Sequence, residues 1–484
     1  MPPSRRSTPR RPAPRRRIRL LSIALALVAG ATVGVVRLAR DVGQDHSTDL
    51  RYVLAVPDPT TGVVEVTLEI PAPRRALHLG FSGNSLAPTA PASKFRVRSV
   101  ETAGEERAID RADGHWSAGT RGEPTTVHYE VHLKGSHASR AFAAEGLSAI
   151  DAEGARLFGS DVFLFPIDQE IGAITIDYEL PDGWALHHPF ATDTRRAAPP
   201  SLRALYSSVV GIGHYRHAVR NVRGVEILIA LRGSYAFGDD DLIGVVERIA
   251  AHQLDFFGEA PYDRYLFVVD EHPHRDDPEL LHYFGLHFDA SMLVLIDPRT
   301  DRRRLQGEPA SLFAHEFFHN WLGEHVQQKG YAMNWFVEGI TTLYAYRTRL
   351  ATGMLDPGRY AEEIAGRHRD QWADETLRGN ISLAEAGEIV LQDPAITRMT
   401  YTGGLLVGIA LDDAIVRETQ GDASLDDVLR GMARQASIEP AYRLTRATLE
   451  AELSRVSGRD FGPWLERYVY GVEDMPLPTF VTGR

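Results

Sequence analysis

Apolar and polar residues alternate along much of the chain between residues 47 and 231. Residues 63–70, 126–133 and 173–178 are clear examples, and Gly, Pro and Asp separate such runs. A period of two residues is typical of strands with one buried face. The pattern predicts antiparallel strands of a sandwich-like β domain, and we find no cluster of reactive side chains in this part of the sequence.

The spacing of apolar residues changes after Gly238. Residues 239–257 have helical spacing, and three Asp residues in the predicted first turn complement the helix dipole. Strands are predicted at residues 264–270 and 292–296. Beyond Glu308 the pattern is mostly helical to the end, with breaks at residues 353–357, Gly379 and Pro394. We therefore predict an α+β protein with a β domain at residues 46–237 and a second domain, helical in its later half, at residues 238–484.

The first 45 residues form a separate segment. Eight Arg and no acidic residue occur in residues 1–19, followed by an uncharged stretch at residues 20–36. As a helix this stretch spans roughly 25 Å, close to the roughly 30 Å of a bilayer core. We predict a membrane anchor; a signal peptide cleaved near residues 29–31 is the main alternative, and a buried helix behind a basic tail is another.

Charge and composition narrow the possible locations and partners. The arginine block should remain on the cytoplasmic side, so we expect a single-pass protein with residues 41–484 outside the cytoplasm, or a secreted protein if the segment is cleaved. The chain has a net charge of −12, and about −20 without the eight terminal arginines, which argues against nucleic acid as a partner. With no Cys, disulfides, thiolate metal ligands and a Cys nucleophile are excluded.

The sequence His-Glu-Phe-Phe-His at residues 315–319 carries the clearest chemistry. On a helix, His315 and His319 share one face and can bind one cation, while Glu316 lies beside the metal as a general base. A catalytic zinc site normally has three protein ligands and one open position. Glu338, separated from His319 by eighteen residues and placed on a predicted helix at residues 335–349, supplies the third. Imidazole and carboxylate ligands predict one Zn²⁺ ion.

Two alternatives concern the His pair and a second polar segment. A His pair in a core can be satisfied by backbone groups rather than by a metal. The acids and imidazoles of residues 270–277 could hold a second metal, but a solvated rim of the cleft is the simpler expectation.

At this point the sequence resembles the gluzincin metallopeptidases, and among them the glycyl aminopeptidase family, related to the aminopeptidase N family. The resemblance rests on residues 314–344, including Trp-Phe-Val-Glu-Gly at 335–339, and on residues 400–406 with Ser-Leu-Asp-Asp at 424–427. It implies a thermolysin-like catalytic domain behind the β domain, peptide substrates and a catalytic role for Tyr401. A phenol there can donate to the oxyanion that forms as water adds to the carbonyl. From this sequence we expect no counterpart of the PDZ domain that often follows in this family.

The chain departs from the family at positions that bear on substrate recognition. His287, in Phe-Gly-Leu-His-Phe at residues 284–288, replaces the Glu that binds a substrate's free amine, and an imidazole offers no fixed negative charge. Asp289 could substitute for it. Leu-Gly-Glu-His at residues 322–325 replaces Asn-Val-Lys-Arg, and Gly403 replaces Lys.

These observations predict a membrane-tethered, extracytoplasmic zinc peptidase that is aminopeptidase-like but lacks the amine-binding Glu. The alternative is a catalytically silent gluzincin-fold protein that binds peptides or serves as a scaffold. The sequence leaves the oligomeric state and the choice between exo- and endopeptidase action open.

Overall fold

The structure is a computed structural model. It describes residues 47–482, except residues 82–93, 109, 113–114, 120, 134–147, 168, 274–279, 373–376, 378 and 391. The predicted anchor or signal segment therefore lies outside the described residues.

The amino-terminal half is built from three sheets around one core. Their orders are β14-β12-β1-β2-β8-β4-β5, β13-β15-β10-β9 and β11-β3-β7-β6. The bounds are β1 Thr48–Ala55, β2 Val63–Ile70, β3 Leu77–Gly80, β4 Phe95–Thr102, β5 Glu105–Arg107, β6 Asp110–Ala112, β7 His115–Gly119, β8 Thr125–His132, β9 Ala149–Asp151, β10 Gly154–Phe158, β11 Phe165–Pro166, β12 Ile171–Glu179, β13 Ala185–His187, β14 Arg196–Ala197 and β15 Val209–Gly213. Short helices α1 (Gly159–Val162) and α2 (Leu202–Tyr206) and a 3₁₀ turn, Pro59–Thr61, complete this half.

One pairing differs from the all-antiparallel expectation. β1 pairs with β12 in parallel, from Thr48 opposite Ile171 to Ala55 opposite Glu179. Alternation shows which face of a strand is buried but carries no information about the direction of its neighbour. The alternation itself holds: in β2, Val64, Val66, Leu68 and Ile70 are the buried members.

A five-stranded mixed sheet lies between the two halves. Its order is β16-β17-β18-β20-β19, with β16 Arg216–Val222, β17 Val225–Leu231, β18 Arg264–Glu271, β19 Tyr283–Phe288 and β20 Ser291–Ile296. In β18, Tyr265, Phe267 and Val269 pack into the helical core, whereas Leu266 and Val268 pack with Phe158 and Val209 of the amino-terminal half. Burial on both faces explains the unbroken apolar runs.

Two strands that precede the predicted domain boundary between residues 237 and 238 belong to this sheet. β16 and β17 pair with each other, and β17 pairs with β18 in parallel, so both strands belong to the sheet of the second half. Their sequences resemble those of the sandwich strands, because the apolar pattern of a strand does not identify the sheet that it joins.

The rest of the second half is helical. Its helices are α3 Asp239–Phe257, α4 Arg302–Leu305, α5 Glu308–Phe318, α6 Asn334–Ala351, α7 Pro357–Arg367, α8 Leu383–Glu388, α9 Pro394–Glu418, α10 Leu425–Ile438, α11 Arg446–Ser457, α12 Gly462–Tyr468 and α13 Thr479–Thr482, with a π turn at His368–Trp372. Within the described chain, α9 alone is long and apolar enough to cross a membrane, and 83% of its most apolar stretch is buried inside the protein. It is a core helix, packed along α6. The mixed composition of β sheets followed by helices is the predicted α+β class.

Candidate metal centre

Three buried side chains from two helices meet at one point. The Nε2 atoms of His315 and His319 are 3.1 Å apart, and Oε2 of Glu338 lies 3.4 Å and 3.5 Å from them. Nitrogen ligands at about 2.0–2.1 Å from a tetrahedral zinc ion are about 3.3 Å apart, so these distances match a shared ion. His315 lies in the last turn of α5, His319 directly follows that helix, and Glu338 lies in the first turns of α6.

Neighbouring groups fix the orientation of these side chains. Nδ1 of His319 lies 2.9 Å from the carbonyl oxygen of Leu322, which directs Nε2 of His319 towards the common point. Thr342 donates its hydroxyl to the carbonyl of Glu338, and its oxygen lies 3.5 Å from Nδ1 of His315. Thr342 therefore links the two helices that carry the three side chains.

The chemistry of the three groups fits a divalent metal. Both carboxylate oxygens of Glu338 are buried without a hydrogen-bond partner among the described residues, which is costly unless a cation binds them. Burial would raise the pKa of Glu338, but His319 and His315 lower it to about 2, so the carboxylate is ionised. Burial lowers the pKa of His319 and favours the neutral imidazole that binds metals.

A second group, His287, Glu316 and His319, also has ligand atoms within 4.8 Å of one another. Its geometry suits a metal less well. The rings of His287 and His319 are stacked, with centroids 4.2 Å apart and an interplanar angle of 27°, so their in-plane lone pairs do not converge. The rings of His315 and His319 are nearly perpendicular, at 81°. The first group is thus the better metal site.

Glu316, the predicted general base, is fully buried beside this site. Its Oε2 lies 3.3 Å from Nδ1 of His287, and its Oε1 is without a hydrogen-bond partner in the described part of the chain. Strand β19 passes closely over it: a Cβ added at Gly285 would lie 3.1 Å from Oε1 of Glu316. One oxygen of Glu316 therefore contacts His287, and the other makes no hydrogen bond within the described residues.

Tyr401 lies beside His315, one of the proposed ligands. It is buried in α9, and its ring stacks on that of His315, with centroids 5.9 Å apart and an interplanar angle of 16°. The neighbouring Gly403, where the family usually has Lys, has no room for a side chain, because a Cβ there would lie 2.4 Å from Trp372 and from Leu383.

The structure also brings in two residues that the sequence analysis did not select. Nε2 of His287 lies 3.4 Å from Oε1 of Glu324, and the other carboxylate oxygen of Glu324 forms an ion pair with Arg203 from α2. Burial alone would lower the pKa of His287, but its hydrogen bonds to Glu316 and Glu324 raise it to about 9. In the sequence, Glu324 differs from the family motif, but nothing else indicated that it contacts the site. No sequence pattern indicated a role for Arg203.

Asp289, the other predicted substrate-binding residue, follows β19 at the same edge of the site. It is half-buried, and its backbone N–H donates to the carbonyl of Ser207. Burial and the nearby Glu324 raise the pKa of Asp289 to about 6.

The expectation that residues 270–277 form a solvated rim is wrong for its first residues. Asp270 is buried between Arg156 and Arg232, and His272 is buried with its ring stacked on His282. Residues 274–279 lie outside the described residues. At Asp270 the charge belongs to a buried ion network rather than to a solvated surface.

Comparison with known proteins gives a family match over the part of the chain that carries these residues. Residues 279–418, which include all the predicted site residues, match the Peptidase family M1 domain. No curated protein matches the sequence significantly.

Solved structures show the same fold at low sequence identity. A crystal structure of an aminopeptidase N family protein from Idiomarina loihiensis superposes with a TM-score of 0.76 and 16% identity, covering 89% of this chain and 78% of that one. An M1 zinc metallopeptidase mutant from Deinococcus radiodurans, bound to a Tyr-Ser-Ala substrate, has a TM-score of 0.58 and 14% identity, covering 90% and 97%. The unmutated Deinococcus radiodurans enzyme gives 0.58 and 15%, covering 90% and 95%.

The matched domain spans the helices and the edge strand that carry the site, and the fold extends over most of the chain. Residues 279–418 of this chain thus match the Peptidase family M1 domain, and the chain shares its fold with solved M1 zinc metallopeptidases.

Proposed function

We propose that the chain hydrolyses peptide bonds with one zinc ion held by His315, His319 and Glu338, and with Glu316 as the general base. The observation that carries this proposal is the pairing of two features. Metal-binding atoms of His315, His319 and ionised Glu338 meet at one point, and Glu316, the residue after His315, has an Oε1 without a hydrogen-bond partner in the described part of the chain. A site that only bound peptides would have no need for this second carboxylate.

Each residue has a distinct task in the reaction. A zinc ion bound at this site would polarise the scissile carbonyl and acidify water. Glu316 accepts a proton from the attacking water at its free oxygen and passes it to the leaving nitrogen. Tyr401 donates its hydroxyl to the carbonyl oxygen as that oxygen gains negative charge. His287 holds Oε2 of Glu316 during both transfers.

Short peptides are the proposed substrates. The Deinococcus radiodurans relative is described as bound to a Tyr-Ser-Ala substrate, which supports peptides of this size. The action is aminopeptidase-like in its zinc chemistry, but the residue at the amine-binding position is His287 instead of Glu.

The protein is proposed to act outside the cytoplasm, tethered by residues 20–36. The basic flank and the uncharged stretch of the sequence support this location. Alkaline extraction of membranes from cells producing the full chain tests the tether: a protein released with peripheral proteins contradicts it.

The proposed reaction is tested by Glu316→Gln, which keeps the size of the side chain and removes the base. We expect zinc content near one ion per chain, as in the unchanged protein, and peptide turnover reduced at least about a hundredfold. Glu388→Gln, at an exposed position in α8, is the matched control and should retain full turnover.

Turnover by Glu316→Gln at the rate of the unchanged protein would rule out the proposed role of Glu316. A chain that binds zinc and peptides but cleaves none, with or without the substitution, would be the catalytically silent alternative. Zinc analysis by mass spectrometry and peptide cleavage assays separate these cases.

A further inference from the structure

Two separate departures from the glycyl aminopeptidase motifs meet in the structure. His287 stands where the motif has Glu, and Glu324 stands where Asn-Val-Lys-Arg has Lys. Nε2 of His287 lies 3.4 Å from Oε1 of Glu324. Compared with the family motifs, the basic side chain is now at position 287 and the acidic one at position 324, and the two side chains are in contact.

His287 and Glu324 each contact a further side chain besides each other. Nδ1 of His287 lies 3.3 Å from Oε2 of Glu316, and its ring stacks on that of His319. At the other end, Glu324 pairs with Arg203, which comes from the amino-terminal half. The side chain of His287 is 4% exposed and that of Glu324 is 17% exposed.

Every polar atom of the pair is consequently engaged. Both ring nitrogens of His287 face a carboxylate, and the two oxygens of Glu324 face His287 and Arg203. A substrate's terminal ammonium would have to compete with Arg203 and His287 for the charge of Glu324, because both groups already contact that carboxylate. The position that would receive the ammonium is instead filled by a hydrogen-bonded imidazole.

We propose that His287, Glu324 and Arg203 close the amine subsite, so that this peptidase cleaves bonds without requiring a free amino terminus. Its substrate class then comprises N-blocked peptides and internal bonds of unfolded segments. His287 and Glu324 are specificity-determining residues, and Arg203 positions Glu324. This inference rests on the proposed peptide hydrolysis.

The test uses decapeptides prepared in free and N-acetylated forms. Products are identified by mass spectrometry, and kcat and KM are measured for the best cleaved pair. The unchanged protein should cleave both forms with similar kcat/KM. The double variant His287→Glu with Glu324→Lys restores the order of charges in the family motif and should favour the free form at least about tenfold, mainly through KM.

Two further variants keep the test informative. Arg203→Met removes one partner of Glu324 without touching His287, and should shift the preference in the same direction, towards the free form. The control is the charge exchange Arg467→Glu with Glu473→Arg at an exposed ion pair, which should leave the ratio unchanged. Zinc content and melting temperature of each variant report folding independently of activity.

The inference would be overturned if the unchanged protein cleaved only peptides with a free amino terminus. If Asp289→Asn then lost this dependence, amine binding would be assigned to Asp289. An unchanged ratio in both the double variant and Arg203→Met, with zinc retained, would overturn it as well. Absence of any cleavage that depends on Glu316 would instead remove the proposed function, and with it the inference.

Discussion

The hydroxyl of Tyr401 has a role that can be separated from the packing of its ring. The ring stacks on that of His315, so replacing Tyr by Phe preserves this contact and removes only the donor. The removal of one oxyanion donor typically costs about 10²–10³ in kcat. We expect Tyr401→Phe to lose activity in this range with little change in KM or zinc content, as measured by steady-state kinetics.

Tyr344→Phe is the matched control for that prediction. The hydroxyl of Tyr344, which lies on α6 after Glu338, donates to Asp426 at 2.5 Å rather than to any of the proposed ligands. Its loss should lower the melting temperature and leave kcat nearly unchanged. A fully active Tyr401→Phe would mean that Tyr401 serves only to pack against His315.

At the scale of residues, the sequence predicts those side chains that a shared metal ion requires at fixed intervals along the chain. His315, Glu316 and His319 are close in the chain, and Glu338 follows at a spacing that the family motif supplies. Glu324 and Arg203 are 121 positions apart, and their contact follows from how the two halves dock. Positions 287 and 324 both differ in charge from the family motifs, and in opposite directions. This was the one feature of the sequence that could have indicated a contact between them.

At the scale of elements, the site depends on a close crossing of α6 and α9. A Cβ on Gly339 would lie 2.3 Å from backbone atoms of Gly404, and a Cβ on Gly404 would lie 1.8 Å from the carbonyl oxygen of Trp335. Because α6 carries Glu338 and α9 carries Tyr401, this crossing sets the separation of a proposed metal ligand and a proposed oxyanion donor.

Gly404→Ala should therefore push the two helices apart. Backbone atoms cannot move aside as side chains can, so we expect a loss of about 1–3 kcal/mol in stability together with weaker zinc binding. Thermal unfolding and zinc titration measure the two effects. Gly244→Ala in α3 is the control, since its Cβ would approach only Arg248 at 3.7 Å, and it should be neutral or stabilising by up to about 1 kcal/mol. Equal behaviour of the two variants would refute the close crossing.

Elements with a strong local pattern were predictable, while their partners were not. Residues 239–257 and 63–70 form the predicted helix and strand with the predicted bounds. Capping by Asp241 and regular alternation specify these locally. The parallel pairing of β1 with β12, and the membership of β16 and β17 in the second sheet, depend on contacts between distant segments.

At the scale of the whole molecule, a buried ion network joins the two halves. Asp270 of β18 lies 2.8 Å from Nη1 of Arg156 in β10 and 2.5 Å from Nη2 of Arg232, which follows β17. Arg232 also pairs with Asp151 at 2.9 Å. The half that carries Arg203 is thus held against the catalytic half by charges as well as by the apolar layer between the sheets.

Asp270→Asn keeps the shape of this side chain and leaves two buried guanidinium groups short of one charge. Removing one partner from a buried ion network typically costs about 3–5 kcal/mol, and we expect a loss of this size at pH 7 in urea unfolding. Asp177→Asn, at the exposed pair with Arg196, should change the stability much less.

The loss should also depend on pH in a defined direction. Burial would raise the pKa of Asp270, but Arg156 and Arg232 hold it below the ordinary value. Because the folded-state pKa is lowered, the stabilisation is complete above the unfolded value of about 3.9 and is lost as pH falls through the folded pKa. The difference in free energy of unfolding between the unchanged protein and Asp270→Asn should therefore be constant from pH 7 to about pH 5 and shrink below about pH 4. A difference that grows on acidification would mean that Asp270 is protonated in the folded protein and that the halves are joined by the apolar layer alone.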